Sequence, residues 1–185
     1  PQRDLLKTST GHVELMLKDG HIYHDVVLLN VVKYLRVVET LTTHMNEQKM
    51  ETKGFGFHFL RFKVVLKNGK ILFEEAVLDG VPMRIVALGE YNLLDGRLNI
   101  DLLAAPLKRM DRIFEHVPLV GGVLHTLVSI PLNVKGTLNG VKVFPLHPSA
   151  VVYQLKELME DIVDVPIKLV HVDEWRGTKS NGGVP

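Results

Sequence analysis

Apolar and polar residues alternate along most of this chain, and turn dipeptides punctuate the alternation. Over 11–24, Val13, Leu15 and Leu17 alternate with Glu14, Met16 and Lys18. A period of two puts one set on each side of a strand. Asp19-Gly20 follows, and such a pair predicts a tight turn, hence a hairpin over 11–24. The stretch 58–78 repeats the pattern around Asn68-Gly69: Leu60, Phe62, Val64 and Leu66 share a face, with Arg61, Lys63 and Lys67 opposite. Over 83–104 the turn is Asp95-Gly96, and Leu98, Ile100 and Leu102 alternate with Arg97, Asn99 and Asp101. A last pair over 128–146 turns near Asn139-Gly140. Four such turns predict a meander of about eight antiparallel strands paired in sequence order.

Three segments change the period. Asp25 suits an N-cap for the apolar run from Val26 to about Val38. Its valines leave helix and strand both open by pattern alone. As a helix it is apolar nearly all round in its first two turns, which fits either burial or contact with lipid. The second segment, 106–117, opens at Pro106, a residue suited to a first helical position. Leu107, Met110, Ile113, Phe114 and Val117 form one face, and Lys108, Arg109, Asp111, Arg112, Glu115 and His116 the other. Pro118 ends that pattern and leaves an apolar knuckle, Leu119-Val120, before Gly121-Gly122 and Val123-Leu124. The third helix runs from Pro148-Ser149 to about Val163 on a face of Val151, Leu155, Leu158, Met159 and Ile162. Residues 42–54 read as a polar loop and 173–185 as a flexible tail. Residues 1–172 read as a single domain, a piece of a longer chain. The fold class expected is α+β, mainly β: an open antiparallel sheet with three amphipathic helices.

Composition narrows the function. The 185 residues carry 22 basic and 21 acidic side chains, a net charge of +1, which gives no basic footprint for nucleic acid. There is no cysteine, so disulfides and thiol nucleophiles are excluded. The longest apolar run, 26–38, is interrupted by Asn30, Lys33 and Arg36 and falls short of the roughly 18 residues of a membrane span.

Candidate chemistry is sparse. Among nine histidines only His21 and His24 are close, and a three-residue offset on a strand puts them on opposite faces. Ser129, Ser149 and Ser180 lie outside any nucleophile elbow. The carboxylate pairs Glu74-Glu75 and Glu160-Asp161 fit solvated faces, and Gly121-Gly122 lacks the lysine of a phosphate loop. The expectation is no enzyme, no metal and no cofactor.

Gly89 through Leu98 reads G-x-Y-x-L-x-D-G-x-L; Ala105-Pro106-Leu107 follows, and then Val117-Pro118-Leu119-Val120-Gly121-Gly122-Val123-Leu124. These motifs, in this order of hairpins and helices, resemble the AsmA-like C-terminal region of Gram-negative envelope proteins (the AsmA, TamB and YhdP group). The match covers roughly residues 11–160. The resemblance implies a strongly curved open sheet, a half-barrel groove whose apolar lining shields phospholipid acyl chains on their way across the periplasm. On that reading Val13, Leu15, Leu17, Leu60, Phe62, Val64, Leu66, Leu98, Ile100 and Leu102 line the groove. Lys108, Arg109, Leu119, Val120, Val123 and Leu124 touch the groove mouth or a membrane. Lys108 and Arg109 stand in a first helical turn, where the macrodipole disfavours cations, and an anionic headgroup would suit them better. The implied partners are phospholipid acyl chains, a membrane surface, and the remainder of its own longer chain or an envelope protein. The implied location is the periplasm, with an inner-membrane anchor on a segment outside this chain. The competing expectation is a structural or assembly domain for the outer membrane, its apolar face packed on further repeats or on a protein partner.

Overall fold

In the computed structural model, residues 2–23, 25–37, 54–106, 127–163 and 167–169 are described. The alternating segments become strands β1 (Thr10–Ile22), β2 (Phe55–Lys67), β3 (Lys70–Gly80), β4 (Met83–Asn92), β5 (Arg97–Pro106), β6 (Leu127–Thr137) and β7 (Gly140–Pro145). They form one open antiparallel sheet in sequence order, β1 to β7. A three-residue strand, β8 (Ile167–Leu169), pairs in parallel with the start of β6. The expected meander of about eight antiparallel strands is therefore corrected to seven, with one short parallel addition.

The difference lies at Asp19-Gly20. The turn at Asn68-Gly69 has both residues at positive φ, 53° and 72°, as a two-residue hairpin turn needs. At Asp19-Gly20 only Asp19 is left-handed, with φ 50°. The chain does not reverse, and β1 runs on as one strand of 13 residues. Asp19 lies opposite His58, and the register between β1 and β2 is the same on either side of them: Lys18 pairs with Phe59 and Gly20 with Phe57. The expected hairpin over 11–24 is thus an irregularity within a longer strand. The Asp95-Gly96 signal holds, with Gly96 at φ 71° and its N–H donating to the Asn92 carbonyl at 2.8 Å. The last turn sits one residue earlier than expected, on Leu138-Asn139 between the paired Thr137 and Gly140.

Register carries the apolar positions across the sheet in rows. Leu17, Leu60, Leu78, Ile85, Ala104 and Ile130 are successive cross-strand partners; so are Leu15, Phe62, Ala76, Ala87, Leu102 and Leu132. A third row links Val13, Val64, Phe73, Gly89, Ile100, Val134 and Val143. Alternation slips twice, at His58 in β2 and at Glu74-Glu75 in β3, and both are register shifts of a β-bulge. Each bulge restores the apolar residues beyond it to the same side.

Helix α2 (Val26–Val37) covers part of this face. The Asp25 carboxylate accepts the Leu28 N–H at 2.7 Å, the N-cap bond expected from the sequence. Leu28, Val31, Val32 and Leu35, spaced i, i+3, i+4 and i+7, are buried against the sheet, whereas Lys33 and Val26 are exposed. The run that reads as apolar all round thus has a solvated side. α2 packs near β7, at the opposite edge from the strand it follows.

The reverse face is divided. Helix α3 (Tyr153–Val163), preceded by a 3-10 turn at Pro148–Ala150, buries Leu155 and Met159 on Val77, Val86, Leu103 and Ala105. Beyond α3 that face mixes polar pairs with apolar residues such as Val65, Leu72 and Met16. Asn133 Nδ2 donates to Asp101 and, at 3.0 Å, to Asn99. Arg84 Nε donates to Asp79 Oδ1 at 2.6 Å. A short helix absent from the expectation, α1 (Gln2–Thr8), precedes β1. Pro106 is the last residue of β5, paired with Met83, so it does not open a helix as expected. Residues 107–117 of the helix expected over 106–117, residues 42–53 of the loop expected over 42–54, and the tail 173–185 lie outside the described residues.

Candidate functional site

The row with the smallest side chains determines where space is left. Ala76 and Ala87 are cross-strand partners in the middle of the sheet, between Phe62 on one side and Leu102 on the other. α2 passes above with Leu28 and Val31. Large residues hold the helix off the sheet and small ones fail to fill the gap. The result is a cavity of about 210 Å³. Its lining is aliphatic and aromatic except for Asp25, whose carboxylate is already engaged at the helix N-terminus.

Toward β1 the same face is uncovered. Leu60 and Phe62 line the cavity, and their partners on β1 are Leu17 and Leu15. Leu15 and Leu17 are each 43 % exposed and Val13 is 59 % exposed. The cavity therefore continues into an open apolar strip along β1 and β2. Its charged counterparts are on the reverse side. Glu75, buried despite the expectation of a solvated pair with Glu74, binds Arg61 and, at 3.0 Å, Lys63. That bond and charge from Glu75 raise the Lys63 ammonium above its ordinary pKa, with a smaller push from Glu14.

All ten residues expected to line an apolar face lie on the side that carries α2. They do not share one environment. Leu60, Phe62, Ile100 and Leu102 line the cavity. Leu98 is core. Val64 and Leu66 are half-buried, and Val13, Leu15 and Leu17 are exposed. Lys108, Arg109, Leu119, Val120, Val123 and Leu124 lie outside the described residues. Sequence reasoning missed Phe73, Ala76 and Ala87 of the cavity wall. For Phe73 and Ala76 the signal was present in the spacing 71, 73, 76, 78 of apolar residues in β3, which marks the bulge at Glu74-Glu75.

The other polar candidates do not converge. His21 packs against the Tyr23 ring at 6.1 Å between centroids. Ser149 faces His147 Nδ1 at 2.7 Å in the 3-10 turn. Ser129 is buried with no hydrogen-bond partner for its hydroxyl. Among the described residues no three histidines or carboxylates gather as metal ligands, and no helix is long and apolar enough to cross a membrane. Comparison with protein-family models, with curated proteins and with solved structures finds no match to this chain.

Proposed function

We propose that this chain is a lipid-binding module that shields acyl chains on the α2 face of its sheet. The observation that carries the reading is the continuity of the half-open apolar cavity with the exposed strip at Val13, Leu15 and Leu17. A hydrocarbon chain entering the cavity gains roughly 0.8 kcal/mol per methylene removed from water. The cavity takes only a short length of chain; the rest lies along the strip, with the polar head in water. Little in the lining is directional, so selectivity among head groups is low. The chemistry is passive transfer and needs no reacting group.

The reading includes a curved, half-barrel sheet. Three residues separate the end of β1 from the start of α2, yet α2 packs near β7. Seven flat strands would set those edges ~29 Å apart, whereas a helix of 12 residues spans ~18 Å. Curvature reconciles the two lengths. Gly89 and Gly136 support it, since a Cβ at either would collide with a neighbouring strand's carbonyl oxygen. The likeness of its motifs to the AsmA-like region extends the proposal to place and partners: phospholipid transfer between the membranes of a cell envelope, with the anchor on another part of a longer protein.

The test is mass spectrometry of organic extracts from the purified chain, with uptake of a fluorescent fatty acid measured alongside. Co-purified phospholipid in near-stoichiometric amount is expected. A chain that carries none and takes up none has its apolar face covered by protein, which is the structural or assembly reading.

A further inference from the structure

The two edges of the sheet are built differently. β7 has six residues, carries Lys142 and ends on Pro145, all features that discourage further pairing. β1 has thirteen residues and no proline, and among the described residues its one strand neighbour is β2. Met16 on its reverse face is 53 % exposed, and Leu15 and Leu17 on the other are 43 % exposed. Long edges with exposed apolar side chains take up another strand.

The sequence of β1 says which strand fits. In an antiparallel pair of two copies, residue numbers opposite one another have a constant sum. With Glu14 at the two-fold axis, like charges meet. With Leu15 there, Glu14 meets Met16 and its charge has no partner across the axis. With Met16 at the axis, Leu15 faces Leu17 of the second copy, and Glu14 faces Lys18 of the second copy; symmetry repeats both pairs. Glu14 and Lys18 lie on the same side as Met16, and Leu15 and Leu17 share the other, as the pairing with β2 establishes. Opposite charges placed directly across two strands stabilise the pair, and like charges destabilise it. Glu14 is 62 % exposed and only 3.8 Å from Lys63, which leaves a carboxylate oxygen open to a second cation.

We propose that two copies of this chain associate through β1, antiparallel, with Met16 on the two-fold axis. The contact is isologous. It joins two seven-stranded sheets into one with the α2 faces on the same side. The proposal does not depend on lipid binding.

Charge exchange tests it. Glu14→Lys and Lys18→Glu each put like charges across the axis twice. Each is expected to weaken self-association by about tenfold or more, measured by light scattering at concentrations up to about 100 µM. The first variant then carries lysine at both positions and the second carries glutamate at both. In a mixture of the two, every lysine of one chain faces a glutamate of the other, so a heterodimer as tight as the original is expected. A strand from any other protein, or from elsewhere in a longer chain, would not show that rescue. The chain has no cysteine, so Met16→Cys supplies a single thiol. On the axis it is expected to form an interchain disulfide on oxidation, while Val13→Cys stays reduced. That measurement also decides the matter if Glu14→Lys disturbs the fold through Lys63. A wild-type chain that is monomeric at about 100 µM overturns the proposal. So does a dimer indifferent to both exchanges, or cross-linking at residue 13 in place of residue 16.

Discussion

Ala87→Leu asks whether the space under α2 is empty and used. Ala87 and its partner Ala76 line the cavity of about 210 Å³. Leucine adds three carbons, each worth roughly 0.8 kcal/mol when removed from water, or ~2.4 kcal/mol in all. Ordering the new side chain costs ~0.5–1 kcal/mol. Ala87 is half-buried, so the gain is below the full value. The expected result is an unfolding free energy raised by about 1 kcal/mol, read from urea titration followed by far-UV circular dichroism. Uptake of a dansyl-labelled fatty acid should fall together with this gain. Displacing two methylenes of ligand costs ~1.6 kcal/mol, or roughly fifteenfold in affinity. Two outcomes refute the reasoning. Destabilisation by more than ~1 kcal/mol is the signature of overpacking and means there is no void to fill. Unchanged uptake with raised stability means the void exists but acyl chains do not enter it.

Three other substitutions probe the sheet itself. Gly89→Ala drives a Cβ into the Asn99 carbonyl oxygen and to 2.7 Å from the Ile100 Cα, so β4 must part from β5; a loss of at least ~2 kcal/mol by the same titration is expected. Ser129→Ala removes a buried hydroxyl that has no partner, and stability should stay level or rise by about 1 kcal/mol; a clear loss would show that the hydroxyl is satisfied after all. Lys63 has its pKa raised above 10.5 by Glu75. Its contribution is therefore complete below pH 10.5 and fades as pH climbs through the raised value. Urea midpoints measured upward from neutral pH should fall less steeply in Lys63→Gln than in the wild-type chain.

Period-two alternation located the strands and the side on which their apolar residues lie, because a buried face leaves no freedom of register. It fails where local chemistry has two uses. Asp-Gly is a hairpin turn when both residues are left-handed and a strand irregularity when only Asp19 is. Nothing within 11–24 tells the two apart; the long β2 opposite it does, because its thirteen residues pair along the whole of β1. The Glu74-Glu75 bulge was legible in the spacing of its apolar neighbours, and reading it places Phe73 and Ala76 on the cavity wall. The cavity itself was not legible. It depends on two alanines from different hairpins arriving side by side beneath a helix whose pattern fits a strand equally well.

Among the described residues, the uncovered strip and the unpaired edge have one origin. α2 leaves the end of β1 and crosses toward β7, so the strand that launches the helix keeps its own apolar side bare. Covering that side and pairing that edge use different groups. A lipid tail lies on Leu15 and Leu17 from above; a second β1 bonds to backbone N–H and C=O groups in the plane of the sheet. The two therefore do not compete. Pairing about Met16 sets two bare strips next to each other and makes one apolar surface wider than either copy has alone. Substitutions separate the two properties cleanly. Ala87→Leu alters the cavity without reaching the edge, and the exchanges at Glu14 and Lys18 alter the edge from the reverse face without reaching the cavity. Leu15→Asp is different, because its side chain belongs to the strip and stands beside the axis. It should weaken uptake and association together, and loss of one without the other would show that Leu15 serves only the strip or only the edge.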